Sequence, residues 1–307
     1  MRMASGPDKK VVAIVAPSGY TPNEAALLGT EAIFADHGWQ VRRFFDPARR
    51  HQRFGAEDSE RAAQLHAAAA DPEVTMVLAL RGGYGMSRLL HALDFDSLAA
   101  SGKLFVGHSD FTVFHLGLLA RTGAISFAGP MLDADFLRAE PSAFTLRHFF
   151  ECLGRPEHSV SFEALGNPDV DLDGRLWGGN LTMLTHMLGT PYFPAIEGGI
   201  LFVEDVNEHP YRVERMLLQL FHAGVLARQH ALVLGDFSNY RLSDYDNGYD
   251  FAAMLDYLRG QLGIPVLTGL PFGHVRDKVT LPVGCMASLS CVKGAARLTM
   301  RDYPCLP

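Results

Sequence analysis

The chain has 307 residues, of which 48% are hydrophobic and 20% are charged, as expected for a globular protein with one large or two medium domains. Its 27 basic and 34 acidic side chains give a net charge of −7, and it contains no long run of lysine or arginine. This balance argues against nucleic acid or an anionic membrane as a partner.

The N-terminal segment Met1–Lys10 is charged and lacks the apolar stretch of an export signal, and no later run reaches the roughly 18 apolar residues of a membrane span. We therefore expect a cytoplasmic protein. The cysteines contain no Cys-x-x-Cys pair and no zinc-like spacing, which favours reduced, mostly buried thiols over disulfides or a metal site. They are Cys152, Cys285, Cys291 and Cys305.

Strand-like and helix-like segments alternate through the first half of the chain. Apolar runs predict strands at Val11–Ala16, Gln40–Phe45, Val74–Leu80 and Leu104–Val106, and helical patterns cover Glu24–His37, Ala56–Ala70 and Phe111–Ala120. This alternation predicts an α/β domain over residues 1–154, with a doubly wound parallel sheet whose functional loops follow the carboxyl ends of the strands.

The second half has a different organisation. Periodicity fades over residues 155–173, where proline and glycine predict a linker. Residues 174–307 mix helical patterns with strand-like runs and end in a strand-rich tail. We expect a smaller, β-rich, barrel-like domain there.

The stretch Gly107-His108-Ser109-Asp110 lies where a predicted strand turns into a predicted helix. A serine at such a turn is lifted clear of the sheet beside the first backbone N–H groups of the helix, which suits a nucleophile. The same position also suits a helix N-cap, and the Gly-x-Ser-x-Gly signature is incomplete here. Both interpretations stay open until a base and an orienting acid are found.

The glycine-rich turn Arg81-Gly82-Gly83-Tyr84-Gly85 follows another predicted strand. It lacks the Lys-Ser/Thr ending of a phosphate-binding loop, so a nucleotide site is only weakly indicated. The same geometry also suits an oxyanion. If the backbone N–H groups of Gly83 and Asp110 point to one spot near the Ser109 hydroxyl, they form a two-donor oxyanion hole.

Glu204 ends the apolar run Leu201–Val203, whereas Asp205 next to it can be explained as a helix cap. A carboxylate at the end of a buried strand is costly unless a partner accepts its charge, and histidine is a good candidate. Of the thirteen histidines, three remain as candidates: His108, His209 and His274. His108 is a poor base for Ser109, because neighbours on a tight turn usually point apart. His274, in a loop marked by glycine and proline, can be presented into a crevice.

Six ordered motifs between Val11 and Gly284 together resemble the LD-carboxypeptidases, which are serine peptidases of bacterial cell-wall recycling. The motifs are Arg81-Gly82-Gly83-Tyr84-Gly85, Gly107-x-Ser109-Asp110, Gly178-Gly179-Asn180-Leu181, Leu201-Phe202-Val203-Glu204-Asp205-Val206, Gly235-Asp236-Phe237 and Gly269-Leu270-Pro271-Phe272-Gly273-His274.

The resemblance implies a triad with Ser109 as nucleophile, His274 as base and Glu204 as orienting acid. It also implies an N-terminal doubly wound domain, a C-terminal β-rich domain, a homodimer and no metal or other cofactor. The implied substrate is a muropeptide that loses its terminal D-alanine. His108, and Val275-Arg276 after His274, depart from the usual family pattern and leave the peptide preference open.

An exopeptidase must also recognise a free carboxylate, for which Arg81 and then Arg276 are candidates, although each could equally form a structural ion pair. Trp177 is either a domain-interface anchor or an aromatic platform for a ligand ring. The second interpretation favours an alternative function, an immunity-type peptidase of the same family that cleaves a peptide-nucleotide antibiotic. A small-ligand binding protein without chemistry is the other alternative.

Overall fold

The computed structural model describes residues 10–22 and 24–306, and it divides into two compact units. The first unit contains the described residues up to Gly107 together with Pro130–Pro141, and the second contains His108–Gly129 and the chain from Ser142 onward. Residues 1–9 of the segment predicted to lack an export signal lie outside the described residues. The domain limits expected at 154 and 174 stay predictions.

The first unit is built on a parallel sheet with the strand order β4-β3-β1-β2. Its central strands are almost wholly buried on both faces, which is why they read as continuous apolar runs in the sequence. The elements are β1 (Lys10–Val15), α1 (Thr30–Ala35), β2 (Trp39–Arg43), α2 (Asp58–Ala70), β3 (Val74–Ala79), α3 (Phe95–Ala100) and β4 (Leu104–Gly107). The predicted parallel-sheet architecture is confirmed.

The second unit contains a seven-stranded mixed sheet and one further antiparallel pair of strands. Its helices are α4 (Thr112–Thr122), α5 (Ala143–Leu153), α6 (Leu181–Met187), α7 (Pro210–His222) and α8 (Phe251–Gln261). Its strands are β5 (Ser126–Ala128), β6 (Glu157–Glu163), β7 (Val170–Asn180), β8 (Gly199–Val206), β9 (Gln229–Ser238), β10 (Val266–Leu267), β11 (Leu281–Val283), β12 (Met286–Val292) and β13 (Ala295–Arg301).

The seven strands run in the order β10-β9-β8-β7-β12-β13-β6. β7 joins two halves of this sheet, because its first part pairs antiparallel with β12 and its last part pairs parallel with β8. The edges are β10 and β6, so the β-rich unit is an open sheet. In the parallel half, β7, β8 and β9 end at one edge of the sheet, where Asn180 is in register with Glu204.

The segment 155–173, expected to be a linker, instead forms β6 and the first part of β7. In β6 the buried Val160 and Phe162 alternate with more exposed neighbours, and the whole strand pairs with β13. The proline and glycine signals mark only the ends of these strands. Alternation with a period of two was therefore present in the sequence and was the better signal.

Candidate active site

Ser109 lies two residues after the end of β4 and begins a short 3₁₀ turn, Ser109–Phe111, that leads into α4. Its backbone has φ of +60°, the left-handed region that side chains other than glycine rarely adopt. Such strain is tolerated where the surrounding structure holds it, and it is a feature of serines raised on a strand-to-helix turn.

His274 contacts the Ser109 hydroxyl within the second unit. The distance from Nε2 of His274 to Oγ of Ser109 is 3.0 Å, which is a hydrogen bond. His274 follows Gly273, whose φ is +146° and where a Cβ would lie 3.1 Å from the backbone oxygen of Asp236 and 3.4 Å from Cβ of Glu204. A glycine at this position therefore lets the loop pack closely against the ends of β8 and β9.

Glu204 supplies the partner that its buried position requires. The side chain is fully buried, and its Oε2 lies 2.8 Å from Nδ1 of His274. Because the carboxylate can only accept, Nδ1 carries the proton and the lone pair of Nε2 is directed at Ser109. Burial lowers the pKa of His274, but the hydrogen bond and the charge of Glu204 outweigh that effect and raise it above its ordinary value.

Asn180 holds Glu204 in place and connects it to Asp205, and the sequence analysis assigned neither Asn180 nor Asp205 a role in the site. The Nδ2 group of Asn180 donates to Glu204 Oε1 at 3.1 Å and to Asp205 Oδ1 at 3.0 Å. Asp205 also accepts hydrogen bonds from the backbone and hydroxyl of Thr182. Burial, and then the charge of Glu204, raise the pKa of Asp205.

The sequence feature that could have identified Asn180 is its position between a strand and a helix. Its Oδ1 accepts from the backbone N–H of Met183 at 3.1 Å, so it is the N-cap of α6. Its own backbone N–H donates to Oγ1 of Thr112, at the start of the helix that follows Ser109. Asn180 therefore connects Glu204, through its side chain, to the helix that follows Ser109, through its backbone N–H.

His108 is buried beside the site, with its ring centre 5.1 Å from that of His274 in an edge-to-face arrangement. Its Nδ1 lies 3.0 Å from the carbonyl oxygen of Gly129, which accepts a hydrogen bond from Nδ1–H and so fixes the tautomer. Burial, and then the charges of Lys278 and His274, lower the pKa of His108 well below its ordinary value. It is therefore a neutral ring packed against the imidazole of His274.

The structure excludes Trp177 as a ligand platform. Its side chain is 0% exposed, its Nε1 donates to Oε1 of Gln229 at 2.9 Å, and its ring packs edge-on against Phe193. An aromatic platform needs one open face, and Trp177 has none. The prediction of a substrate-binding Trp177 is therefore wrong, because the β7 position that carries it faces the core of the second unit.

The remaining predicted residues lie in both units. In the first unit, Arg81 donates to the backbone oxygen of Tyr20 at 3.1 Å and lines a pocket with Gly83, which has φ of +108°. In the second unit, Asp110 is buried in the turn after Ser109, and Arg276 is exposed. The roles of Arg81, Gly83, Asp110 and Arg276 stay predictions.

Within residues 10–22 and 24–306, no group of three or more histidine, cysteine or acidic side chains is arranged to hold a metal ion. In the same part of the chain, no helix combines the length and apolar character needed to cross a membrane.

A hydroxyl, an imidazole and a buried carboxylate joined in series can convert the hydroxyl into a nucleophile for acyl transfer. The fold and site thus define a two-domain α/β protein equipped for hydrolytic chemistry. The chain belongs to the LD-carboxypeptidase family: the model of the family's N-terminal domain matches residues 12–129 and that of its C-terminal domain matches residues 173–289. It is a peptidase of that family.

Known proteins similar to this chain include members of the same family. A solved structure of muramoyltetrapeptide carboxypeptidase from Oxalobacter formigenes is 58% identical, with a TM-score of 0.93 over 96% of this chain and 100% of that one. A probable murein peptide carboxypeptidase of Bacillus subtilis is 31% identical over 93% of this chain and 90% of its own length. The microcin C7 self-immunity protein of Escherichia coli is 28% identical over 73% of this chain and 74% of its own length.

Proposed function

We propose that this chain is a serine-type LD-carboxypeptidase that releases the terminal D-alanine of muropeptide tetrapeptides. The observation that carries the proposal is the hydrogen-bonded series from Ser109 through His274 to Glu204, with distances of 3.0 and 2.8 Å. The names of the carboxypeptidases from Oxalobacter formigenes and Bacillus subtilis support the substrate class.

In the proposed reaction, His274 Nε2 takes the hydroxyl proton of Ser109 while Oγ attacks the carbonyl carbon of the scissile amide. Glu204 holds the ring in the required tautomer and stabilises the imidazolium that forms. The tetrahedral intermediate collapses as His274 returns the proton to the leaving nitrogen, and D-alanine departs. Water then gives a proton to His274 and attacks the ester carbon. The bond from that carbon to Oγ breaks, His274 returns the proton to Oγ, and the shortened peptide leaves with a free carboxyl group.

The left-handed backbone at Ser109 supports its assignment as nucleophile, because a helix N-cap alone needs no such strain. We assign the backbone N–H groups of Gly83 and Asp110 to the oxyanion hole. Each such donor typically contributes about 100- to 1000-fold to the rate. Arg81, and then Arg276, are proposed to bind the terminal carboxylate of the peptide. The reaction requires no metal or other cofactor.

The proposal extends to the setting of the reaction. We assign the enzyme to the recycling of cell-wall peptides in the cytoplasm, as a homodimer without nucleic acid or membrane partners. The alternative of an immunity-type peptidase is supported by the similarity to the microcin C7 self-immunity protein. The burial of Trp177 argues against it, since the aromatic platform postulated for a nucleotide is absent at that position.

The test is to incubate the purified protein with muramoyl tetrapeptide and with an aminoacyl-nucleotide analogue and to measure released D-alanine and free amino acid. We expect D-alanine release that falls at least about 1000-fold in Ser109→Ala and in His274→Ala. His108→Ala is expected to retain measurable activity. The exposed Ser97 and His91 are matched controls, and Ser97→Ala and His91→Ala should leave the rate unchanged.

Full activity in His274→Ala together with loss in His108→Ala would transfer the role of base to His108. Preferential cleavage of the nucleotide analogue would favour the immunity-type peptidase. A fluorophosphonate that fails to label the wild-type protein at Ser109, together with the absence of hydrolysis, would indicate a binding protein without chemistry.

A further inference from the structure

The second unit has a groove of about 610 Å³ whose lining includes Gly235, and a Cβ built on Gly235 would lie 3.4 Å from Cβ of Glu204. Its walls are the carboxyl end of β9, the following loop and the start of α8, and they include Asp236, Phe237, Tyr240, Phe251 and Thr268. We call it the β9–α8 groove. None of the mechanism's residues lies in it.

The groove is connected to the proposed base through the backbone. The N–H of Asp236 donates to the carbonyl oxygen of Phe272 at 2.8 Å, two residues before His274. A Cβ built on Gly273 would lie 3.2 Å from Cβ of Asp236 and 3.4 Å from Cβ of Glu204. The groove and the loop that carries His274 are therefore direct neighbours at the carboxyl end of β9.

One of the two carboxylate oxygens of Asp236 lacks a hydrogen-bond partner. Its Oδ1 is shut off from solvent and accepts no hydrogen bond from the described residues. A carboxylate with one such oxygen is stabilised by a donor of opposite charge that binds to it. The residues that line the groove include a second carboxylate, Asp250, and none of them is basic.

The other walls of the groove are aromatic. The ring centres of Phe237 and Phe251 are 5.4 Å apart, and the rings of Tyr240 and Phe251 are stacked at 6.4 Å. Aromatic faces attract a cation and also cover the methylene groups that carry it. A carboxylate beside aromatic rings is suited to an alkylammonium group and unfavourable for an anion.

We propose that the β9–α8 groove binds the side-chain ammonium of the diamino acid that precedes the terminal D-alanine, with Asp236 as its counter-ion. The inference rests on the proposed function, because it places a substrate side chain beside Ser109. Asp236 acts on binding and selectivity and takes no part in the bond cleavage.

The kinetic test compares two pairs of tetrapeptides that differ only in the side-chain amine: lysine against norleucine, and diaminopimelate against 2-aminopimelate. In the pair that is cleaved faster, we expect the wild type to have a kcat/KM about tenfold higher for the peptide that carries the side-chain amine. The difference should come chiefly from a lower KM for that peptide. In Asp236→Asn this preference should fall below about threefold. The exposed Asp256 of α8 is the matched control, and Asp256→Asn should keep the preference.

A wild type that cleaves both members of each pair equally, or an Asp236→Asn variant with the wild-type preference, would overturn the proposal. Cleavage would still be observed in either case, so the proposed function would stand. Absence of cleavage of all four peptides would instead remove the proposed function.

A binding measurement tests the groove independently of cleavage. Pentylamine and pentan-1-ol are titrated into Ser109→Ala, and the ring signals of Phe237, Tyr240 and Phe251 are followed by NMR. We expect pentylamine to shift these signals at concentrations at least fivefold lower than pentan-1-ol, and we expect Asp236→Asn to abolish the difference. Equal binding of the two probes would contradict an ammonium site.

Discussion

At the scale of the single residue, Ser109 combines two properties that rarely occur together, a left-handed backbone and a side chain hydrogen-bonded to an imidazole. The backbone conformation costs about 1 kcal/mol or more for a residue with a Cβ. The hydrogen bonds and packing of the surrounding elements maintain it. The strain therefore comes from the backbone conformation at position 109 and not from the hydroxyl group.

This distinction predicts that Ser109→Gly is more stable than Ser109→Ala by about 1 kcal/mol, because only glycine relieves the left-handed strain. Urea unfolding of the two variants measures the difference. The order should be reversed at Ser97 inside α3, where Ser97→Ala should be more stable than Ser97→Gly by a similar amount. Equal stability of the alanine and glycine variants of Ser109 would show that the position is not strained.

His274 illustrates how two opposing effects set a single pKa. Burial lowers the pKa of this histidine, and the buried Glu204 raises it by more, so the result lies above the ordinary value of 6.5. The proposed base must be neutral to accept a proton. Activity should therefore fall as the pH decreases through the raised pKa, and the acid limb of kcat/KM should lie above pH 6.5.

At the scale of the elements, the parallel half of the second sheet places the ends of β7, β8 and β9 side by side. The register sets Asn180 opposite Glu204 and Asp205 opposite Phe237. Three features therefore lie at one edge of the sheet: the N-cap of α6, the proposed orienting acid and the β9–α8 groove. Asn180 serves as a positioning residue for Glu204, because it touches the carboxylate and not the hydroxyl.

We expect Asn180→Ala to lower kcat about 10- to 100-fold with little change in KM, since Glu204 loses a donor and its orientation. If Glu204 holds His274 less firmly, the acid limb of the pH profile should also move down toward 6.5. Steady-state kinetics from about pH 5 to 9, which spans the titration range of histidine, measure both effects.

The matched control is Asp94, which caps α3 in the first unit in the same way. Asp94→Ala should cost about 1 kcal/mol of stability, as Asn180→Ala does through its cap, but should leave kcat unchanged. Equal kinetic losses in the two variants would mean that the effect of Asn180 is only structural.

At the scale of the whole molecule, thiol exposure reports on the packing of the second unit. Cys152, Cys285 and Cys291 are buried, and Cys305 near the C-terminus is exposed. Burial raises the pKa of Cys285 to about 12 and raises that of Cys152 as well, so both stay in the unreactive thiol form.

A chromogenic disulfide reagent should therefore react rapidly with one thiol of the native chain and with four in denaturant. Cys305→Ser should remove the rapid phase and leave activity unchanged. Rapid reaction of two or more native thiols would show that a buried part of the second unit opens readily.

Much of the fold was predictable from local patterns. Continuous apolar runs located the buried parallel strands, and the strand-rich tail contains β12 and β13. The predictions failed where a local signal was given too much weight. Proline and glycine between 155 and 173 obscured the alternation of β6, and the composition around Trp177 did not reveal which way its ring faces.

By itself, the sequence determined the alternation of strands and helices, the family resemblance and the three residue types needed for hydroxyl activation. These features can be read from local propensity and motif spacing, because they depend only on the order of residues along the chain. Only the tertiary structure decided that Ser109, Glu204 and His274 lie within hydrogen-bonding distance, that Asn180 joins Glu204 to Asp205, and that Trp177 is enclosed. Such contacts join residues far apart in the chain, so strand register and packing set their distances.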